Sequence, residues 1–229
     1  MLKKGKQTIG IALGGGGARG AAHIGVLQVL HSENIRVDRI VGTSAGAVIG
    51  AMYAAKEDPQ WIEKRFREFL ESKMFKGLGT ERMVKGSDPH SPISQIAKKV
   101  HDQFVFIMSL NKTFIIKKER LKTAFNFLLP VKTFEELKIP FSCLTLDLNS
   151  GEDIIFKTGD LVEAILASSA IPGFIPPVEK NGLLLTDGSV SCPVPVITVR
   201  KMGADFIISV NVGMNNFETL QNPNLLQVW

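Results

Sequence analysis

The chain opens on a continuous apolar run, TIGIAL, which predicts a short buried strand from its β-branched residues and the glycines that close it. RGAAHIGVLQVLHSEN follows as a helix apolar around most of its girth, hence buried. VDRIVG reads as a second strand, and AVIGAMYAA as a helix of small residues suited to close packing. Asp58-Pro59 has the form of an N-cap with proline at N1. The helix it starts, WIEKRFREFLES, carries Ile62, Phe66, Phe69 and Leu70 as a stripe. Periodicity weakens from Met74 to about Pro130. That stretch, broken by GSDPHSP, reads as an irregular insertion or lid within a single domain spanning residues 1–229. Regular pattern then returns. IPFSCLTLDL, EDIIFKT, LLLTDG and DFIISVNV predict strands, and GDLVEAILASSA predicts a helix with an Asp near its start. MNNFETLQNPNLLQVW fits no element. Alternating strands and helices argue for an α/β fold on a parallel or mixed sheet.

Composition narrows the classes. The apolar fraction of 45% is that of a globular protein rather than a disordered one. Two cysteines, Cys143 and Cys192, make no disulfide framework and no C-x-x-C pair, so a reducing, cytoplasmic setting is expected. Lys3, Lys4 and Lys6 before TIGIAL imitate a signal peptide, but the apolar run ends at glycines after six residues. No segment approaches the ~20 apolar residues of a membrane span, so the chain is expected to be soluble or peripheral. The net charge of +5 is uneven: Lys73 to Lys138 holds thirteen Lys/Arg against six Asp/Glu. The plain reading is a solvated face. The alternative is an anionic membrane surface, since Phe104, Phe106, Phe114, Phe125 and Phe127 lie in the same region. No nucleic-acid motif is present.

The candidate chemistry begins at Leu13-Gly14-Gly15-Gly16-Gly17-Ala18-Arg19-Gly20. Bare backbone between a strand and a helix suits either a phosphate cradle or an oxyanion hole. Gly15 to Gly20 matches G-x-G-x-x-G, but a dinucleotide site wants an acidic residue at the end of the second strand. Asp38 and Glu33 precede that strand, and at its end stands Gly42-Thr43-Ser44-Ala45-Gly46. This is a G-x-S-x-G placed between strand and helix, where a nucleophile elbow belongs; a plain Ser N-cap is the alternative. A serine nucleophile needs a base and oxyanion donors. The usual order Ser–acid–His puts the histidine last, but all four histidines, His23, His31, His90 and His101, come before residue 102, and the strand-rich C-terminal half has none. A triad built on His90 or His101 would draw on the irregular region, while His23 and His31 read as helix-surface or packing residues. Asp187, at the end of the apolar run LLLT and followed by Gly188, is the best remaining base, because desolvation raises a carboxylate's basicity. A simple Asp-Gly turn is its alternative. Asp147 reads as a turn residue. Gly15, Gly16 and Gly17 would then supply oxyanion N–H groups, with Ala45 as a further donor. Arg19 would support the loop or meet a substrate phosphate.

The ordered set GGGGARG, GTSAG, ASSAIPGFIPPV and DGS resembles the patatin-like phospholipase family, its bacterial members and the neuropathy-target-esterase type of domain above all, over about Thr8 to Val212. The resemblance implies a three-layer α/β/α sandwich with a mostly parallel central sheet. It implies a Ser44–Asp187 dyad without histidine, cleavage of lipid acyl esters, and no metal or cofactor. The sequence departs from the family pattern at two places. Ser189 stands where Gly or Ala is usual, and Cys192 where an Asn often follows, which would loosen support of the Asp187 loop. Three rivals remain open: acyl transfer to an acceptor other than water, a nucleotide-binding module, and a lipid-binding protein with a dead site.

Overall fold

A computed structural model describes residues 7–77 and 116–213. Strands β1 (Ile9–Leu13), β2 (Arg39–Thr43), β3 (Phe141–Asp147), β4 (Asp153–Phe156), β5 (Val178–Lys180), β6 (Leu183–Asp187) and β7 (Phe206–Val210) form one mixed sheet. The helices are α1 (Ala22–Ser32), α2 (Ala45–Lys56), α3 (Pro59–Glu71), α4 (Lys73–Gly77), α5 (Lys118–Leu128), α6 (Leu161–Ser168) and α7 (Val196–Lys201). Strands β7, β1, β2 and β3 are parallel neighbours in that order, while β4 and β6 run antiparallel to β3.

Side-chain alternation divides the core between the two faces of this sheet. Ile11, Leu13 and Ile40 face the large cluster filled by helices α1, α2, α3, α5 and α6. Ala12 and Val41 point the other way, onto Val199 of α7 and Ala204. The result is helix, sheet, helix, with the second helical layer reduced to α7 among the described residues.

Most predicted elements stand where the pattern placed them. Asp58 caps α3 by accepting the Trp61 N–H at 2.9 Å, and Asp160 caps α6 through Glu163 N–H at 2.8 Å. In α3 the stripe narrows: Ile62 and Phe69 are buried, but Leu70 is half exposed. The region expected to be irregular from Met74 to Pro130 contains α5, whose Ala124, Phe125 and Leu128 are buried at helical spacing. Phe125 is therefore a core residue and not part of a lipid-facing surface. Phe127 is half buried, with the Arg65 guanidinium 3.7 Å from its ring centre. Phe104, Phe106, Phe114, GSDPHSP and the segment from Met214 onward lie outside the described residues.

The register on β3 carries the architecture of the site. Leu144 pairs with Thr43 of β2 on one side and Ile155 of β4 on the other. The next residue, Thr145, pairs with Asp187 of β6 and Ile154 of β4. Since β4 holds one edge at both positions, β2 and β6 share the opposite edge. They approach from opposite ends, and their C-termini meet head to head beside Leu144 and Thr145.

Candidate active site

Ser44 is the residue that follows β2 and opens α2. It holds φ 53° and ψ −122°, a conformation that L side chains adopt at a cost. The flanking glycines permit it. A Cβ on Gly42 would overlap the backbone of Gly46 and Ala47, and one on Gly46 would overlap the carbonyls of Leu13 and Gly14. The elbow is fastened at its amide. Ser44 N–H donates to Ser168 Oγ at 2.9 Å, and that hydroxyl donates to the Leu144 carbonyl at 2.6 Å.

Asp187 ends β6. Its own N–H and the Thr186 hydroxyl both donate to the Ala170 carbonyl, at 3.0 and 2.6 Å. The Ser44 hydroxyl donates to Asp187 Oδ2 at 2.6 Å, while Oδ1 accepts the Ser189 N–H at 2.8 Å. Both residues are buried. Burial pushes the Asp187 carboxyl above its ordinary range, opposed by the Ser44 hydroxyl and then by the Ser189 N–H and hydroxyl. The turn after Asp187 is closed by backbone bonds, with Cys192 N–H on the Gly188 carbonyl at 2.8 Å, so Cys192 leaves the loop tied by its main chain.

The glycine loop stands against this pair. A Cβ on Gly15 would lie 3.2 Å from Ser44 Cβ. The hydrogen bonds reduce the expected donor set: Gly15 N–H is engaged by the Pro193 carbonyl at 2.9 Å, and Gly14 N–H by the Val210 carbonyl at 3.0 Å. The reason is that the loop also stitches β1 to the segments around β7 and α7. Gly16 N–H, Gly17 N–H and Ala45 N–H have no acceptor among the described residues. Arg19 Nε donates to the Val212 carbonyl at 2.8 Å and so anchors the loop from the other side.

The remaining candidates separate cleanly. His23 is fully buried, with Nε2 2.7 Å from the Gly14 carbonyl. A carbonyl only accepts, so the proton sits on Nε2; burial holds the ring below its usual pKa and neutral. His31 is exposed at the end of α1. Neither bonds to Ser44, and His90 and His101 lie outside the described residues. Asp147 accepts from Ser150 Oγ at 2.7 Å and from Leu184 N–H at 2.9 Å, so it closes the turn after β3. β2 carries no acidic residue of its own at its end to hold a ribose, and two of the loop amides a phosphate would need are already bonded. Among the described residues no cluster of three His, Cys, Asp or Glu is arranged to bind a metal.

Ser168 and Ala170, inside the motif ASSAIPGFIPPV, were given no part in the site by the sequence. The available signal was ASSA at the C-end of an apolar helix, where buried hydroxyls need partners.

A family profile described as patatin-like phospholipase matches residues 11–199. An uncharacterized NTE family protein of Mycobacterium tuberculosis is 31% identical over 223 residues, covering 96% of this chain and 54% of that protein. Human patatin-like phospholipase domain-containing protein 6 is 31% identical over 209 residues, 90% of this chain and 13% of that protein. The chain thus spans about half of the mycobacterial relative and a small part of the human one. VipD from Legionella pneumophila has a similar fold, with a TM-score of 0.52 at 16% identity over 90% of this chain and 49% of VipD.

Proposed function

The chain belongs to the patatin-like phospholipase family, and on that premise we propose that it is a serine acyl hydrolase acting on the fatty-acyl esters of phospholipids or lysophospholipids through Ser44 and Asp187. One observation carries the reading: the hydroxyl of a strained, buried serine donates to a desolvated carboxylate at 2.6 Å. Ser44 Oγ attacks the ester carbonyl while Asp187 takes its proton. The tetrahedral oxyanion is held by Gly16 N–H and Gly17 N–H, with Ala45 N–H and the positive end of α2 beside it. Collapse expels the alcohol, which receives the proton from Asp187. Water then releases the fatty acid from the acyl-enzyme by the same steps. Arg19 holds the glycine loop through Val212.

No helix among the described residues is long and apolar enough to cross a membrane. The proposed working place is the cytoplasmic membrane surface, approached peripherally, with the basic segment between Lys73 and Lys138 meeting anionic lipid.

The test is hydrolysis of a short p-nitrophenyl ester by wild type, Ser44→Ala and Asp187→Asn, with folding followed by circular dichroism. Turnover by wild type and its loss in both folded variants is the expected result. An Asp187→Asn variant with wild-type turnover would place the base elsewhere. Product analysis on labelled phospholipid then separates hydrolysis from transfer to an acceptor alcohol.

A further inference from the structure

Ser189 turns its hydroxyl toward the glycine loop and Ser44. It follows Gly188, whose Cβ position is occupied by Leu144, so the turn after β6 is pressed down onto β3. This brings Ser189 against the bare Cα of Gly15: a side chain on Gly15 would overlap the Ser189 hydroxyl and touch Ser44 Cβ. Gly15, Ser44 and Ser189 thus meet around one small volume. Ser189 Oγ is inaccessible to solvent and has no group in hydrogen-bonding geometry among the described residues, although it lies near enough to Asp187 to influence it. A buried hydroxyl without a partner is costly and calls for a reason. The loop beside it has lost one of its donors, since Gly15 N–H is committed to the Pro193 carbonyl.

Resting on the acyl-hydrolase reading above, we propose that Ser189 is a further catalytic residue, whose O–H replaces the engaged Gly15 N–H as a donor to the oxyanion. When Ser44 Oγ forms its bond to the carbonyl carbon, the carbonyl π pair moves onto oxygen, and Ser44's proton passes to Asp187. The new oxyanion accepts the Ser189 O–H bond. Ser189 keeps its proton throughout. Collapse restores the C=O bond, breaks the C–O bond to the alcohol, and returns Asp187's proton to that alcohol.

The experiment compares wild type with Ser189→Ala and Ser189→Gly. The readouts are p-nitrophenyl butyrate kinetics across pH, inhibition by an alkyl trifluoromethyl ketone, and thermal melting. The ketone forms a hemiketal oxyanion on Ser44 and so reports the oxyanion site without turnover. Removing one donor is expected to lower kcat by roughly 100–1,000-fold with little change in KM. The ketone's inhibition constant is expected to rise by a similar factor. Ser189→Ala should melt no lower than wild type, because it deletes an unpartnered group, and a merely structural role for Ser189 predicts the opposite. An active wild type matched by Ser189→Ala in kcat and ketone inhibition would overturn the proposal alone. So would a loss traceable only to a shifted acid limb, which would make Ser189 a support of Asp187. A folded but inert wild type would overturn the acyl-hydrolase reading and this proposal with it.

Discussion

At Asp187 two influences oppose each other. Burial raises the carboxyl's pKa, and the hydroxyl and amide bonds from Ser44 and Ser189 pull it back. Burial dominates, so the acid limb of kcat/KM should lie above the ordinary carboxylate range, and activity should fall as pH drops through it. A pH–rate profile on a neutral ester checks this. The same shift bears on stability. A carboxyl that keeps its proton to higher pH when folded contributes stability below its unfolded pKa and loses it as pH rises through the raised folded value. Asp187→Asn is permanently neutral and escapes that loss. It should melt at or above wild type near pH 7, with the difference vanishing in acid. Ser44 stores a different cost, in its backbone. Ser44→Ala and Ser44→Gly both delete the hydroxyl, but only glycine relaxes at φ 53°. Ser44→Gly should be the more stable of the two by about 1–2 kcal/mol, measurable by urea titration. Both residues were legible in the sequence because each stands where a strand pattern stops, Ser44 between Gly42 and Gly46 and Asp187 directly before Gly188. The engagement of Gly15 was not legible, since its partner, Pro193, is distant in the chain and acts through a carbonyl that any residue would present.

Helix α6 links local order to the elbow. Its last residue, Ser168, accepts the Ser44 N–H and passes the bond on to the Leu144 carbonyl of β3. Ser168→Ala leaves that amide buried and unbonded, a loss of roughly 1–3 kcal/mol. It should also lower kcat more than it raises KM, because the displaced group is the nucleophile; steady-state kinetics beside a melting curve separate the two effects. The elements the sequence missed each have a physical cause. β5 is three residues long, too short for a period to show. α7 has the composition of a strand, VITV, yet it is helical, with Val199 seated over the bare Cα of Gly10 on the sheet below, a tertiary contact that strand propensity does not foresee. In α5 the apolar spacing of Leu121, Ala124, Phe125 and Leu128 was present but masked by Lys and Arg around it.

Along the chain the charge surplus falls between Lys73 and Lys138, a stretch that contains neither Ser44 nor Asp187. If the basic segment meets lipid, binding to vesicles containing anionic phospholipid should weaken steeply between low and physiological salt, while hydrolysis of a soluble ester should not. Co-sedimentation at two salt concentrations decides it; salt-independent binding would remove electrostatics from the picture. Fold class was readable early for a separate reason. Alternating strands and helices are local patterns, whereas the pairing of β6 with β3 joins residues far apart in sequence.

That pairing has a consequence in time. Ser44 and Asp187 are 143 positions apart and become neighbours only where β2 and β6 meet on β3. A growing chain on the ribosome therefore carries its nucleophile long before its base exists. On the proposed reading it stays chemically silent until then, and gains reactivity only when the strand ending at Asp187 has docked in register.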